Sequence, residues 1–153
     1  MLWVRIDNRL VHGQIIETWL PFTGSHFIAV INDELSGDAL RREIMSLAIP
    51  QGVDIAFLAV KDAPTFFEKN IAQAANALVI FSNCPDARSA YEHGFVFSRI
   101  NIGNLHYGPG KRQICTHVAV SRDDQACLEF FSRRGVNLDF RCVPNDQPQV
   151  ELT

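Results

Sequence analysis

The residues best equipped for chemistry stand close together near the start of the chain. They are Asp7, Arg9 and His12, in the run Arg5-Ile6-Asp7-Asn8-Arg9-Leu10-Val11-His12-Gly13-Gln14. Imidazole is nucleophilic when neutral and a good leaving group when protonated, which suits reversible phosphoryl transfer. Asp7 is spaced to accept a hydrogen bond from the ring nitrogen that does not react, fixing the tautomer and supporting the imidazolium that forms. Arg9 brings a full charge and a fork of donors matched to phosphate oxygens. Holding those oxygens in line is most of what phosphoryl transfer asks of a protein. Taken alone, a loop histidine is more often solvated than nucleophilic. Asp-x-Arg is likewise common as an N-cap with a surface ion pair. The setting of the run therefore decides its weight.

That setting is a strand-to-helix loop. LWVRI (2–6) reads as a strand and HGQIIETWL (12–20) as a helix. The amides of Gly13, Gln14 and Ile15 are then expected to face a cleft, and a helix N-terminus favours anions. Gly13 leaves room for a phosphate to approach. Further strands are predicted over 26–32, 54–60, 77–82, 95–102, 114–121 and 137–143. Helices are predicted over 37–49, with Asp33 and Ser36 as candidate caps, and over 62–74, 85–93 and 122–135. This alternation predicts an α/β fold: an open, mainly parallel twisted sheet of about seven strands with helices on both faces, in a single domain spanning 1–153. Ligands of such sheets bind beyond the carboxyl ends of the strands. The loops at 7–11, 32–35, 82–85 and 103–110 are thus expected around one site.

The bulk properties exclude several alternatives. With 153 residues, 47% hydrophobic and 20% charged, the chain can bury a substantial core. A formal net charge of -3 offers no basic face for nucleic acid. No apolar run is long enough to span a membrane, and the N-terminus lacks the apolar core of a signal peptide, so a cytoplasmic location is expected. Cys84, Cys115, Cys127 and Cys142 are scattered without a CxxC pair and read as free thiols packed as small hydrophobes. No histidine pair has metal-ligand spacing, so no metal or cofactor is expected. The glycines of 103–110 are not followed by Gly-Lys-Ser/Thr, unlike a P-loop. His106 in that loop either borders the site or is solvated. His117 reads as a structural sheet residue, His93 as a helix C-terminal cation, and His26 as a residue without a role. The Phe66-Phe67 and Phe130-Phe131 pairs, Trp3, Trp19 and Phe22 read as packing residues.

The run Val4–Gln14 resembles the signature of the IIB subunits of the mannose/fructose/sorbose class of the bacterial phosphoenolpyruvate-dependent sugar phosphotransferase system. Ile31-Asn32-Asp33-Glu34, Phe81-Ser82-Asn83-Cys84-Pro85 and Asn101-Ile102-Gly103 are similar to further segments of that family, so the resemblance covers nearly the whole chain. It implies a histidine phosphocarrier. A IIA protein or domain would phosphorylate His12, and the phosphate would pass to a sugar imported through membrane IIC/IID subunits. Carried over by position, Asp7 orients His12 and Arg9 binds the phosphoryl group, while Arg5, Gly13, Gln14, Ser82, Gly103 and His106 line the rim. The resemblance also implies a cytoplasmic protein held peripherally at the membrane by the transporter subunits, and it leaves a homodimer open. A chain that starts at its first strand implies that the IIA partner is a separate protein. Asn8 departs from the pattern where an acidic residue is usual, Asn104 where a second glycine is, and Cys84 sits inside the Asn-Pro turn. Two other readings stay open: a regulatory phosphoprotein that uses His12 without transport, and a small nucleotide-binding α/β module, against which the lack of GxGxxG counts.

Overall fold

The computed structural model describes residues 1–147. Its strands are β1 (Trp3–Asp7), β2 (Phe27–Ile31), β3 (Asp54–Leu58), β4 (Ala77–Phe81), β5 (Arg99–Asn104), β6 (Arg112–Cys115), β7 (Val118–Val120) and β8 (Asn137–Asp139). Six of them form one sheet in the order β3-β2-β4-β1-β5-β8, with every pairing parallel. Parallel strands need crossovers, and the helices that supply them bury both faces of the sheet. This is why β2 and β4 are apolar at every position and buried throughout. Alternation then sorts their side chains. Ala29, Ile31, Val79 and Phe81 join Val4, Ile6, Leu128 and Phe131 on one face. Ile28, Val30, Leu78 and Ile80 join Ile15, Trp19 and Leu35 on the other.

The helices are α1 (Leu20–Thr23), α2 (Asp33–Ser36), α3 (Ala39–Leu47), α4 (Ala63–Lys69), α5 (Ile71–Ala74), α6 (Cys84–Glu92) and α7 (Arg122–Arg133). Side chains that accept from the first free amides set where they begin. Asn32 caps α2, Asp38 caps α3, Asn83 caps α6, and Ser121 with Asp124 forms a capping box on α7. The caps expected at Asp33 and Ser36 are therefore one residue or more displaced, and Asp33 instead accepts from the Val60 amide at 2.8 Å.

Other expectations are also corrected. The parallel sheet has six strands, because the run predicted as a strand over 114–121 folds back on itself. β6 and β7 pair antiparallel across a turn at Thr116 and His117. His117 is exposed there and is not a sheet residue. The helix predicted over 62–74 breaks at Asn70, whose side chain donates to the Phe66 carbonyl at 2.7 Å. Cys84 and Cys127 are not free thiols. The packing of α6 on α7 brings them to a Cα separation of 6.2 Å across 43 residues of sequence, and their sulfurs are bonded. No local spacing rule sees such a pair. Cys115 and Cys142 are free.

Candidate functional site: the loop after the first strand

The site begins inside the sheet. Alternation on β1 sends Val4 and Ile6 to one core and Arg5 and Asp7 to the opposite face, where they are 1% and 0% exposed. Arg5 is in register with Asn101 of β5, and Asn101 with Asp139 of β8. A buried polar row therefore crosses three strands. Arg5 donates to Asp7 Oδ2 at 3.0 Å and to Asn101 Oδ1 at 2.5 Å, and its guanidinium lies 4.9 Å from the centre of the Trp19 ring. Asn101 passes the network on to the carbonyls of Asp139 and Arg141.

Beyond Asp7 the chain turns sharply. The Arg9 amide donates to Asp7 Oδ1 at 3.0 Å and the Leu10 amide to the Asp7 carbonyl at 2.9 Å. Leu10 adopts φ +59° in this turn, a left-handed conformation that costs a branched residue about 1–2 kcal/mol. Leu10 is buried, so core packing offsets that cost. The predicted helix over 12–20 is realised as a π-helical stretch, Ile15–Trp19, that runs into α1. Its first amides turn back on His12. Those of Ile15 and Ile16 reach the His12 carbonyl, and the Gln14 amide reaches His12 Nδ1 at 3.3 Å. Two of the three amides expected to face a phosphate thus hold the histidine instead.

His12 Nε2 stands 2.9 Å from Asp7 Oδ2. An ionised carboxylate only accepts, so Nε2 carries the proton and Nδ1 keeps its lone pair. Asp7 is ionised. Burial alone would raise its pKa, but hydrogen bonds from His12 and Arg9 and the charge of Arg5 outweigh burial and hold it far below the usual carboxylate range. Arg9 grips Asp7 in a fork, Nε to Oδ1 at 3.0 Å and Nη2 to Oδ2 at 3.1 Å. Two guanidiniums against one carboxylate leave a surplus of one positive charge beside His12, a setting that favours an anion. Gln14 closes the loop, its Oε1 accepting from Arg9 Nη2 at 3.1 Å and from the Cys142 thiol at 3.5 Å. Burial raises the Cys142 pKa against the pull of Arg5 and Arg9, which favours its thiol form.

The predicted site residues divide accordingly. Asp7, Arg9, His12 and Gln14 are linked by one set of hydrogen bonds, and Gly13 is exposed between His12 and Gln14 with open space where a Cβ would stand. Arg5 and Gly103 do not line a rim. β5 extends to Asn104, so Gly103 is a buried strand residue whose missing side chain makes room for the Arg5 guanidinium. Arg5 acts through Asp7 from behind the loop. Ser82 directly follows β4 and accepts from Asn32 Nδ2 at 3.0 Å and Asn83 Nδ2 at 3.1 Å, linking two neighbouring strand exits. His106 is exposed, and its carbonyl accepts from Lys111. The two departures at Asn8 and Asn104 meet: Asn104 Nδ2 donates to Asn8 Oδ1 at 2.5 Å, and the Asn8 amide donates to the Asn104 carbonyl at 3.2 Å. Sequence reading missed Asn101, Asp139 and Arg141. One signal was available, because Asp139-Phe-Arg141 repeats the Asp7-Asn-Arg9 spacing and folds the same way. Its Arg amide and Nε lie 3.1 and 3.0 Å from Asp139 Oδ1.

A parallel α/β sheet binds ligands beyond the carboxyl ends of its strands, and here a histidine, a carboxylate and an arginine stand together at the exit of a central strand. The comparisons make this specific. Residues 1–151 match the family of the PTS system sorbose subfamily IIB component, and the chain belongs to that family. It is 34% identical over 153 residues to the N-acetylgalactosamine-specific phosphotransferase enzyme IIB component 1 of Escherichia coli (strain K12), covering 97% of this chain and 94% of that one. The solved IIBSor domain of the sorbose permease from Klebsiella pneumoniae superposes with a TM-score of 0.88 at 27% identity, over 97% of this chain and 93% of that chain. The mannose-specific EIIAB component of Escherichia coli (strain K12) is 28% identical over 148 residues, which span 97% of this chain but 46% of that longer protein. The chain is thus the IIB component of a sugar phosphotransferase system.

Proposed function

We propose that this chain carries a phosphoryl group on Nδ1 of His12, taking it from a IIA protein or domain and passing it to a sugar at membrane IIC/IID subunits. The bond between His12 Nε2 and Asp7 Oδ2 carries this reading. It leaves Nδ1 the unprotonated nitrogen, whose lone pair accepts from the Gln14 amide until a donor approaches, and supplies an anion for the imidazolium that phosphorylation creates. In the first transfer the phosphorus–nitrogen bond of the donor breaks as a new one forms to Nδ1, and its electron pair returns to the donor ring. The Nε2 proton stays between His12 and Asp7. In the second transfer the bond to Nδ1 breaks, a phosphorus–oxygen bond forms to a sugar hydroxyl, and the hydroxyl proton is released. Nδ1 recovers its lone pair. Arg9, 35% exposed where Arg5 is buried, is the cation that phosphoryl oxygens can reach from solvent, and binding them would exchange part of its bonding to Asp7 and Gln14.

The name of the mannose EIIAB relative joins an A and a B component in one protein, which supports a IIA partner for this chain. Among the described residues no helix is long and apolar enough to cross a membrane. Contact with transporter subunits would therefore be made from the water side by this part of the chain. The test is intact-mass measurement after incubation with a phosphorylated IIA protein. One phosphate, alkali-stable and acid-labile, is expected on the native chain and none on His12→Ala. Phosphate retained by His12→Ala would overturn the assignment, and an acid-stable adduct would move it to another residue such as Cys142.

A further inference from the structure

One oxygen of the site receives more donors than it has lone pairs to offer. An ionised carboxylate presents about four acceptor positions, roughly two on each oxygen. Asp7 Oδ2 takes three donors: Arg5 Nη2 at 3.0 Å, Arg9 Nη2 at 3.1 Å and His12 Nε2 at 2.9 Å. How much of that oxygen is left to His12 therefore depends on where the Arg5 guanidinium is held. A guanidinium facing a carboxylate favours two parallel bonds to it. Arg5 instead places only Nη2 on Asp7, while its Nη1 reaches away to Asn101 Oδ1 at 2.5 Å. Asn101 is buried on β5, and its amide cannot turn over. Its Nδ2 donates to the carbonyls of Asp139 at 3.2 Å and Arg141 at 2.9 Å, so Oδ1 must face Arg5. Those carbonyls are held in turn, because Arg141 Nη2 bonds Asp139 Oδ2 at 2.8 Å and closes the segment on itself.

Resting on the phosphocarrier reading above, we infer that Asn101 is a positioning residue for phosphoryl transfer. By holding Nη1 of Arg5, it keeps Asp7 Oδ2 open to His12 Nε2 and so keeps Nδ1 unprotonated. With the Asn101 amide removed, the acceptor left to that nitrogen is the Arg141 carbonyl, at 3.4 Å. The guanidinium then turns to the two-bond pairing with Asp7, and His12 loses its share of Oδ2. Without that bond the ring proton is free to sit on either nitrogen. A ring protonated on Nδ1 has no lone pair there with which to attack phosphorus. The influence passes through a chain of hydrogen bonds, from carbonyl to amide to guanidinium to carboxylate to imidazole, in which each bond polarises the next.

The test reads the His12 ring directly. The native chain, Asn101→Ala, Asn101→Thr and a control, Ile100→Ala, are isotopically labelled at the histidine ring nitrogens for nuclear magnetic resonance. His12→Ala identifies the His12 signals among those of the five histidines. Asn101→Thr is the gentler change, since threonine suits a strand but is too short to reach Arg5. Ile100 neighbours Asn101 on β5 but is buried in the core of the opposite face, so truncating it destabilises the chain without entering the network. At alkaline pH the native ring is expected to give one protonated and one unprotonated nitrogen signal, far apart. In both Asn101 variants the two signals are expected to move toward each other. Loading of His12 by phosphoramidate is expected to slow about tenfold, the scale of one hydrogen bond to a charged group. The control is expected to keep the native signals and the native rate. Asn101 variants that lose stability but keep the native signals would overturn the inference, because Asn101 would then be structural only. So would shifted signals with an unchanged loading rate, or the same shift in Ile100→Ala. A native chain loaded by neither phosphoramidate nor a phosphorylated IIA protein would instead overturn the His12 reading, and this inference with it.

Discussion

Adding one methyl group at Gly103 should disable the buried charge network without touching a charged residue. A Cβ at this position would stand 1.9 Å from Arg5 Cζ and 2.1 and 2.2 Å from its terminal nitrogens. Contacts that short are impossible, so Gly103→Ala forces the guanidinium out of its place across the strand. It then loses its bonds to Asp7 and Asn101, both of which are buried from solvent. Breaking a buried pair while leaving one charge behind costs about 3–5 kcal/mol. With a urea m-value of roughly 2 kcal/mol/M for a chain of this size, the midpoint should fall by about 2 M. The assay is a double-mutant cycle with Arg5→Ala. In that background the methyl meets the space the guanidinium vacated, and Gly103→Ala should cost less than about 1 kcal/mol. Equal costs in the two backgrounds would refute the account, because the glycine would then be needed for something other than Arg5. Phosphate acceptance by His12 should fall with the native-background variant, since Asp7 loses the strut behind it.

Two further outcomes follow from the same geometry. Asp7 is held far below the usual carboxylate range, so the stability it contributes is fully present above its ordinary pKa of 3.8 and is lost only as pH falls through its much lower folded value. Asp7→Asn should therefore be destabilised by about 3–5 kcal/mol at pH 7, with the gap from the native chain narrowing only in strong acid; urea titrations at several pH values measure it. Asn104→Ala removes the donor to Asn8, and a loss of about 1 kcal/mol should lower the thermal midpoint by about 2–4 °C, with Asn8→Ala adding little in that background.

Much of the architecture was open to a reader of the sequence, because apolar periodicity and capping chemistry are local. The runs at 27–31 and 77–81 carry no alternation, which only strands covered on both faces can tolerate, and a parallel α/β sheet follows. The same reading failed where two local signals look alike. The alternation through 114–121 is that of a strand, but the polar pair Thr116-His117 makes a turn there, and periodicity alone does not register a reversal of direction. The strand over 95–102 was set too early because Gly103 and Asn104 read as loop residues. Their place in β5 depends on neighbours that lie far away in sequence.

The candidate site divides along the same line. The sequence by itself determined that an imidazole, a carboxylate and a guanidinium share the loop leaving the first strand, since spacings of two and three residues across a turn leave such groups within reach of one another. It also placed that loop at the binding edge of the sheet. Only the tertiary structure decided which groups reach the surface of the loop and which stand buried behind it. Arg5 and Arg9 are alike in sequence, but the pleat of β1 points Arg5 into a layer closed by Trp19, Asn101 and Gly103, while Arg9 follows the turn outward. Likewise Cys142, 130 residues after His12, is brought against Gln14 only because β8 lies two strands from β1. Contacts within a turn are set by covalent geometry. Contacts across a sheet are set by strand order, which is a property of the whole chain.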